Sequence, residues 1–180
     1  MTAQGIPGDE RALLAELDRV LARPIVRAAV DDVARRVESE LTVRGPGASV
    51  MSYAALPLTL YGPLPCGIRS SWVFALRAGC VTGAERHPGS RQRMVSWRGS
   101  GDLQTRPGDV WLSHRLTSDP SDGIERRWIS IPEMTWHQAV VPADTWVVVS
   151  FHTVPAGELI EERPDDTAPE GSRRRLYLTA

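Results

Sequence analysis

The chain has 180 residues, 21 basic and 22 acidic side chains and a formal charge of -1, with 42% hydrophobic and 24% charged residues. That length suits one domain with a sizeable core, and a balanced charge argues against nucleic acid as a partner, because phosphate binding rests on a basic excess. Lysine is absent, which excludes a Schiff-base lysine and a phosphate-loop lysine; no apolar run approaches the ~20 residues of a membrane span, and the polar N-terminus does not read as a signal peptide, so a soluble, cytoplasmic protein without a membrane partner is expected.

The N-terminal residues read as helix. Leu13, Leu14, Leu17 and Leu21 recur at helical spacing after Asp9, which is expected to cap the helix, and Pro24 interrupts the pattern. A second stripe of Val26, Val30, Val33, Val37 and Leu41 is expected to pack on the main domain or on a partner chain. Arg44-Gly45-Pro46-Gly47 closes this region. Short strands are then expected at Trp72 to Arg77, Gln92 to Trp97, Val110 to Leu116, Arg127 to Ile131 and Thr145 to Val154, separated by turn-forming residues. Such a series points to a mainly-β sandwich or barrel. From Glu162 to Ser172 the composition suits an exposed linker, and the ending Arg173-Arg174-Arg175-Leu176-Tyr177-Leu178 reads as a late strand or a frayed tail. The expected organisation is a helical extension over 1–45, a β-barrel over 46–160 and a polar linker and tail over 161–180. The two cysteines, Cys66 and Cys80, have no zinc-site spacing and are expected to be buried small hydrophobes.

The chemistry concentrates between Gly79 and Gly99. Gly79, Glu85, His87, Gln92 and Gly99 follow a spacing of Gly, five residues, Glu-x-His, four residues, Gln, six residues, Gly. The first motif of the cupin family has that spacing with His-x-His and Glu at the variable positions, and this chain resembles it. The family's second motif, Pro-x-Gly-x-x-His, is similar to Pro132-Glu133-Met134-Thr135-Trp136-His137, with methionine in the glycine position and Val141 where asparagine is usual. The match runs from about Trp72 to Val154. It implies a single cupin double-stranded β-helix (jelly-roll) barrel with the helices outside it, a commonly dimeric assembly, and a pocket holding one divalent metal. Carried over position by position, the implied ligands are Glu85, His87, Gln92 and His137, with Glu85, His87 and His137 as the catalytic set.

The residue types support a site on their own terms. Residues two apart on a strand share a face, so Glu85 and His87 are expected to project together. Two imidazoles and one carboxylate suit Fe(II) with open positions and equally suit catalytic zinc. One carboxylate leaves a net positive charge beside a divalent ion, which favours an anionic, chelating substrate. Gln92, a neutral amide, either coordinates or meets substrate. Met94 and Ser96 share the parity of Gln92, Trp97 and Trp136 flank the motifs, and His114 and His152 lie in strand-like runs; all are pocket candidates. Arg77, Arg98 and Arg127, near strand ends, are candidates to clamp a carboxylate.

Three functions fit. The first is an Fe(II)-type dioxygenase acting on a small anion. The second is a redox-neutral zinc, nickel or manganese enzyme, an isomerase, lyase or bond-forming catalyst. The third is a small-molecule binding or sensing module without turnover.

Overall fold

The computed structural model describes residues 6–44, 47, 49–165 and 171–177. The helix stop at Gly45-Pro46, residues 166–170 of the expected linker and Leu178 lie outside the described residues. Helices α1 (Gly8–Leu21) and α2 (Pro24–Val43) are separated only by Ala22 and Arg23. Pro24 explains the break, since it lacks an N–H for a preceding turn and its fixed φ suits a helix start. Asp9 lies inside the first turn of α1, and the cap position is Pro7, which makes no side-chain cap bond. Helix α2 buries Val26, Val30, Ala34, Val37 and Leu41. Ala34 thus takes the place expected of Val33, which is only partly buried.

Among the described residues ten strands follow: β1 (Met51–Ala55), β2 (Ser70–Leu76), β3 (Gln92–Arg98), β4 (Ser100–Arg106), β5 (Leu112–Thr117), β6 (Trp128–Ile131), β7 (Trp136–Val140), β8 (Trp146–His152), β9 (Ile160–Pro164) and β10 (Ser172–Leu176). Five of them form an antiparallel sheet in the order β1-β2-β8-β3-β6, three form a sheet β5-β4-β7, and β9 pairs with β10. The fold is mainly β, with two helices at its N-terminal side. Among the described residues the segment 81–86 bridges the small sheet and the β9–β10 hairpin, through isolated bridges Val81–Val140 and Glu85–His137 to β7 and Arg86–Glu162 to β9.

The period-2 alternation of the large sheet decides what lies on each side. Val73, Ala75, Val95, Val147, Val149 and Phe151 face the helices and join Leu14, Leu17, Val30 and Val37 in one core. Trp72, Phe74, Leu76, Met94, Trp146 and Val148 face the small sheet and join Leu103, Leu116 and Ala139 in a second core. The valine stripe of α2 is therefore covered by its own sheet. Strand β4 escaped the hydrophobic pattern because its sequence, SGDLQTR, has one large apolar residue, Leu103.

Acidic residues of the helices clasp arginine and tryptophan side chains of the sheet. Glu10 accepts from Arg93 Nε at 2.6 Å, Arg93 Nη2 at 3.0 Å and Ser130 Oγ at 2.7 Å. Asp18 accepts from Arg127 and from Trp128 Nε1, and Asp31 accepts from Trp97 Nε1 and Arg98. Arg93 is nearly buried, so its charge depends on Glu10. Removing one partner of a buried pair leaves an uncompensated charge. Glu10→Ala is expected to cost about 3 kcal/mol in urea-unfolding experiments, whereas Asp32→Ala, which breaks only an exposed pair with Arg35, should change stability by about 0.5 kcal/mol or less.

Candidate metal centre

Glu85 and His87 do not lie on a regular strand. Gly83, with φ of +80°, and the Pro88-Gly89 turn confine the segment to isolated bridges. Glu85 is anchored on β7 by two backbone bonds, Glu85 N to His137 O at 2.9 Å and His137 N to Glu85 O at 2.8 Å. Met134 N donates to His87 O at 3.1 Å. Met134 itself has φ of +61°, in the left-handed region that glycine adopts most readily; this is the position where the second cupin motif has glycine.

These anchors bring one carboxylate oxygen of Glu85 and one ring nitrogen each of His87 and His137 within 4.8 Å of one another. His87 Nδ1 lies 3.0 Å from Ile160 O, and His137 Nδ1 lies 3.0 Å from Thr135 O. A carbonyl only accepts, so Nδ1 of each ring carries a proton, and in the neutral ring Nε2 presents a bare lone pair. Both Nε2 atoms are buried and without a hydrogen-bond partner, and so is Gln92 Oε1. Orphaned buried acceptors are rare in folded proteins. Imidazoles held through Nδ1 on a carbonyl are the usual arrangement of metal-ligating histidines. The residues therefore fit a divalent ion: two neutral nitrogen donors and one carboxylate, with an amide oxygen on the wall of the same cavity.

Glu85 divides its two oxygens. Oε1 lies 3.6 Å from His137 Nε2, and Oε2 accepts from Arg163 Nη2 at 2.7 Å. Burial works against its charge, but His137 and the neighbouring His87 and Arg163 outweigh it and hold the carboxyl well below the usual range. Burial first, and then the nearby His137, push His87 down to about 4. His152 falls well below its ordinary value for the same reasons, burial followed by His87 and His137. Burial, then the carboxylates of Glu85 and Glu161, drive the Tyr177 phenol well above its ordinary value. Near pH 7 the site thus holds an ionised Glu85, neutral His87 and His152 rings and a neutral Tyr177 phenol, and neutral imidazole is the ligating form.

A cavity of about 40 Å³ lies at this cluster, with Glu85, Gln92, Met94, Leu103, His137 and Tyr177 among its walls. Ser96 is elsewhere, donating to Gly99 O and accepting from Trp146 Nε1 at the irregular end of β3. Trp136 precedes His137 on a strand and so points the other way, under the guanidinium of Arg86 at 4.5 Å. His114 is held on the edge strand by Thr105 Oγ1 at 2.8 Å. His152 is fully buried and lies edge-on to His87, with ring centroids 5.1 Å apart. Trp97, Arg98 and Arg127 dock helices, and Arg77 donates to Leu41 O and Ser49 O. Cys66 is exposed and Cys80 half-buried, so neither is the buried hydrophobe expected.

Two residues of the site carry no local signal in the sequence. Arg163 and Tyr177 come from the C-terminal hairpin, and the charge-dense composition there reads as solvated surface. Tyr177 packs edge-on to His87 with ring centroids 4.8 Å apart.

No protein-family model matches the sequence, and no curated protein matches it. The fold is similar to a salicylate 1,2-dioxygenase variant from Pseudoaminobacter salicylatoxidans, with 11% identity over 70% of this chain and 33% of that one and a TM-score of 0.49. It is also similar to the capsular polysaccharide assembling protein CapF from Staphylococcus aureus, with 14% identity over 69% of this chain and 32% of that one and a TM-score of 0.47. An oxalate decarboxylase from Lactobacillus farciminis in complex with formate matches at 9% identity over 59% of this chain and 30% of that one, with a TM-score of 0.46. The chain spans about a third of the length of each. Among the described residues no helix is long and apolar enough to cross a membrane.

The neutral state of His87 has a consequence for stability. Its folded value of about 4 lies below the 6.5 of an unfolded chain, so between those pH values the unfolded state binds more protons and acid favours unfolding. The contribution is complete above pH 6.5 and is lost as pH falls toward 4. For the chelator-treated protein, urea titrations should show about 2 kcal/mol less stability at pH 5 than at pH 7.5 from this group. An unchanged midpoint would contradict a buried neutral His87.

Proposed function

We propose that the chain is a metal-dependent enzyme acting on a small anionic molecule, with one divalent ion held by Glu85 Oε1, His87 Nε2 and His137 Nε2. The observation that carries this reading is the pair of buried, unpartnered Nε2 atoms beside an ionised carboxylate. Two imidazoles and one carboxylate are the donor set of the non-haem Fe(II) oxygenases, and an Fe(II)-type dioxygenase is the activity we infer. Bound there, such an ion would supply a Lewis acid and a one-electron donor for oxygen.

The chain's own residues set what can be bound. Glu85 neutralises one charge of a divalent ion, and Arg163 adds a positive charge behind it, so the site stays cationic and favours an anion. Gln92, neutral and on the cavity wall, contributes a donor atom without cancelling that charge. His152 and Tyr177, both buried and neutral, border the imidazoles without adding a charge. The apolar walls, Met94, Leu103 and Ala139, keep bulk water away and strengthen each electrostatic contact.

Oxygen uptake by the Fe(II)-loaded protein, measured against a panel of hydroxy, keto and amino acids, tests the reading. At least one acid should drive uptake in the wild type, and His137→Ala should abolish it. Turnover of the panel with Zn(II) and no oxygen uptake with Fe(II) would overturn the oxygenase assignment in favour of a redox-neutral enzyme.

A further inference from the structure

Among the described residues, strand β10 is paired with one strand. It pairs with β9, and all five of its residues are exposed. A recess of about 290 Å³ bordered by Pro88, Gly89, Val154, Ile160, Arg174 and Arg175 runs beside it, so that flank is not closely packed. The next residue turns inward. Tyr177 is 4% exposed, its N–H donates to Leu159 O at 2.7 Å, and its ring packs against His87, His152 and Trp72. The residue that packs on the His87 ring and lines the cavity is thus carried by the least buried of the described strands. With Tyr177 in place the cavity of about 40 Å³ has room for a few water-sized groups only.

The charges beneath β10 are arranged so that it can leave. Glu161 and Glu162 are almost completely buried, and each has two guanidinium partners. Glu161 takes Arg163 and Arg175, and Glu162 takes Arg86 and Arg174. One partner of each pair comes from the body of the protein and one from β10. Stranding a buried charge is costly, but on detachment of β10 each carboxylate keeps Arg163 or Arg86. Arg174 and Arg175, whose side chains are already 66% and 65% exposed, pass into water.

We propose that Ser172–Tyr177 is a strap that closes the metal cavity and lifts from β9 to admit ligand. The proposal rests on reading Glu85, His87 and His137 as the site a substrate must reach. Its test does not need the metal. Tyr177 N donates to Leu159 O, which makes the adjoining pair, Ile160 and Leu176, a non-hydrogen-bonded one with Cα atoms about 4.5 Å apart, within disulfide reach and next to Tyr177. The full chain with Ile160→Cys and Leu176→Cys, in a Cys66→Ser background, can be locked by oxidation and released by dithiothreitol.

Diethyl pyrocarbonate, which acylates neutral imidazole nitrogen, is the probe, read by peptide mass spectrometry on chelator-treated protein with half-buried His114 as internal reference. Locking should slow labelling of His87 and His137 by about tenfold or more relative to His114, as expected for access through local opening, and reduction should restore it. Tyr177→Ala, which keeps the β9–β10 pairing, should speed both sites in the unlocked chain. Equal rates in locked and released protein, or no effect of Tyr177→Ala, would overturn the strap. Failure of Zn(II) to protect the two rings would count against the metal reading alone and would leave the strap result standing.

Discussion

Two hydrogen bonds from imidazole Nδ1 to backbone carbonyls set the chemistry of this protein. They fix the tautomer of His87 through Ile160 and of His137 through Thr135, and so leave both Nε2 lone pairs bare in a buried space. A bare buried acceptor is expensive, and burial deepens the cost while also keeping His87 neutral. A cation there would offset that cost, and the ionised Glu85 beside the two rings completes a set of groups that could hold one. The carbonyls belong to β9 and to the turn before β7, so tautomer choice is a property of the fold and not of the ligands alone.

The rest of the structure holds those backbone segments still. The five-stranded sheet carries Gln92 and His152 on its inner face, and its outer face is covered by two helices through a continuous apolar core. Around that core, Glu10, Asp18 and Asp31 meet arginine and tryptophan side chains, which fixes the helices in register with β3 and β6. Arginine in place of lysine suits this role, since its planar fork donates to both oxygens of Glu10 at once. On the far side, Glu85, Arg163, Glu161 and Arg175 form an alternating line of charge from the metal cluster to the C-terminal strand. The ligand carboxylate and the strap are therefore joined by one chain of ion pairs.

Much of this was legible in the sequence, and the gaps have physical reasons. The runs beginning at Trp72, Gln92 and Thr145 announced β2, β3 and β8 because they are dense in β-branched and aromatic residues. The motif spacing pointed to Glu85, His87 and His137, which the fold brings together, and to Gln92, which lies on the wall of the same cavity. The face-sharing argument for Glu85 and His87 reached the right pair through the wrong geometry: bridges to β7, not a strand, hold them. Arg163 and Tyr177 were invisible because their partners are distant in sequence, Glu85 in one case and His87 in the other. Among so many arginines, only tertiary pairing separates Arg163 from Arg77, Arg98 and Arg127, which tie helices to the sheet or, for Arg127, to the turn before β6. Ser96 shows the limit of parity, since Trp146 engages it away from the cavity, while Trp136, a candidate only because it flanks the motif, faces away from His137 as strand alternation requires.

The central claim is that His87 Nε2, His137 Nε2 and Glu85 Oε1 converge on one cation. Anomalous diffraction from crystals of protein purified without added metal, recorded at the iron and zinc absorption edges, measures this most directly. The account predicts a single anomalous peak within about 2.3 Å of both nitrogens and the carboxylate oxygen, with the Nδ1 contacts to Ile160 and Thr135 retained. Density for water bridging the two imidazoles, with no anomalous peak at either edge, would contradict it.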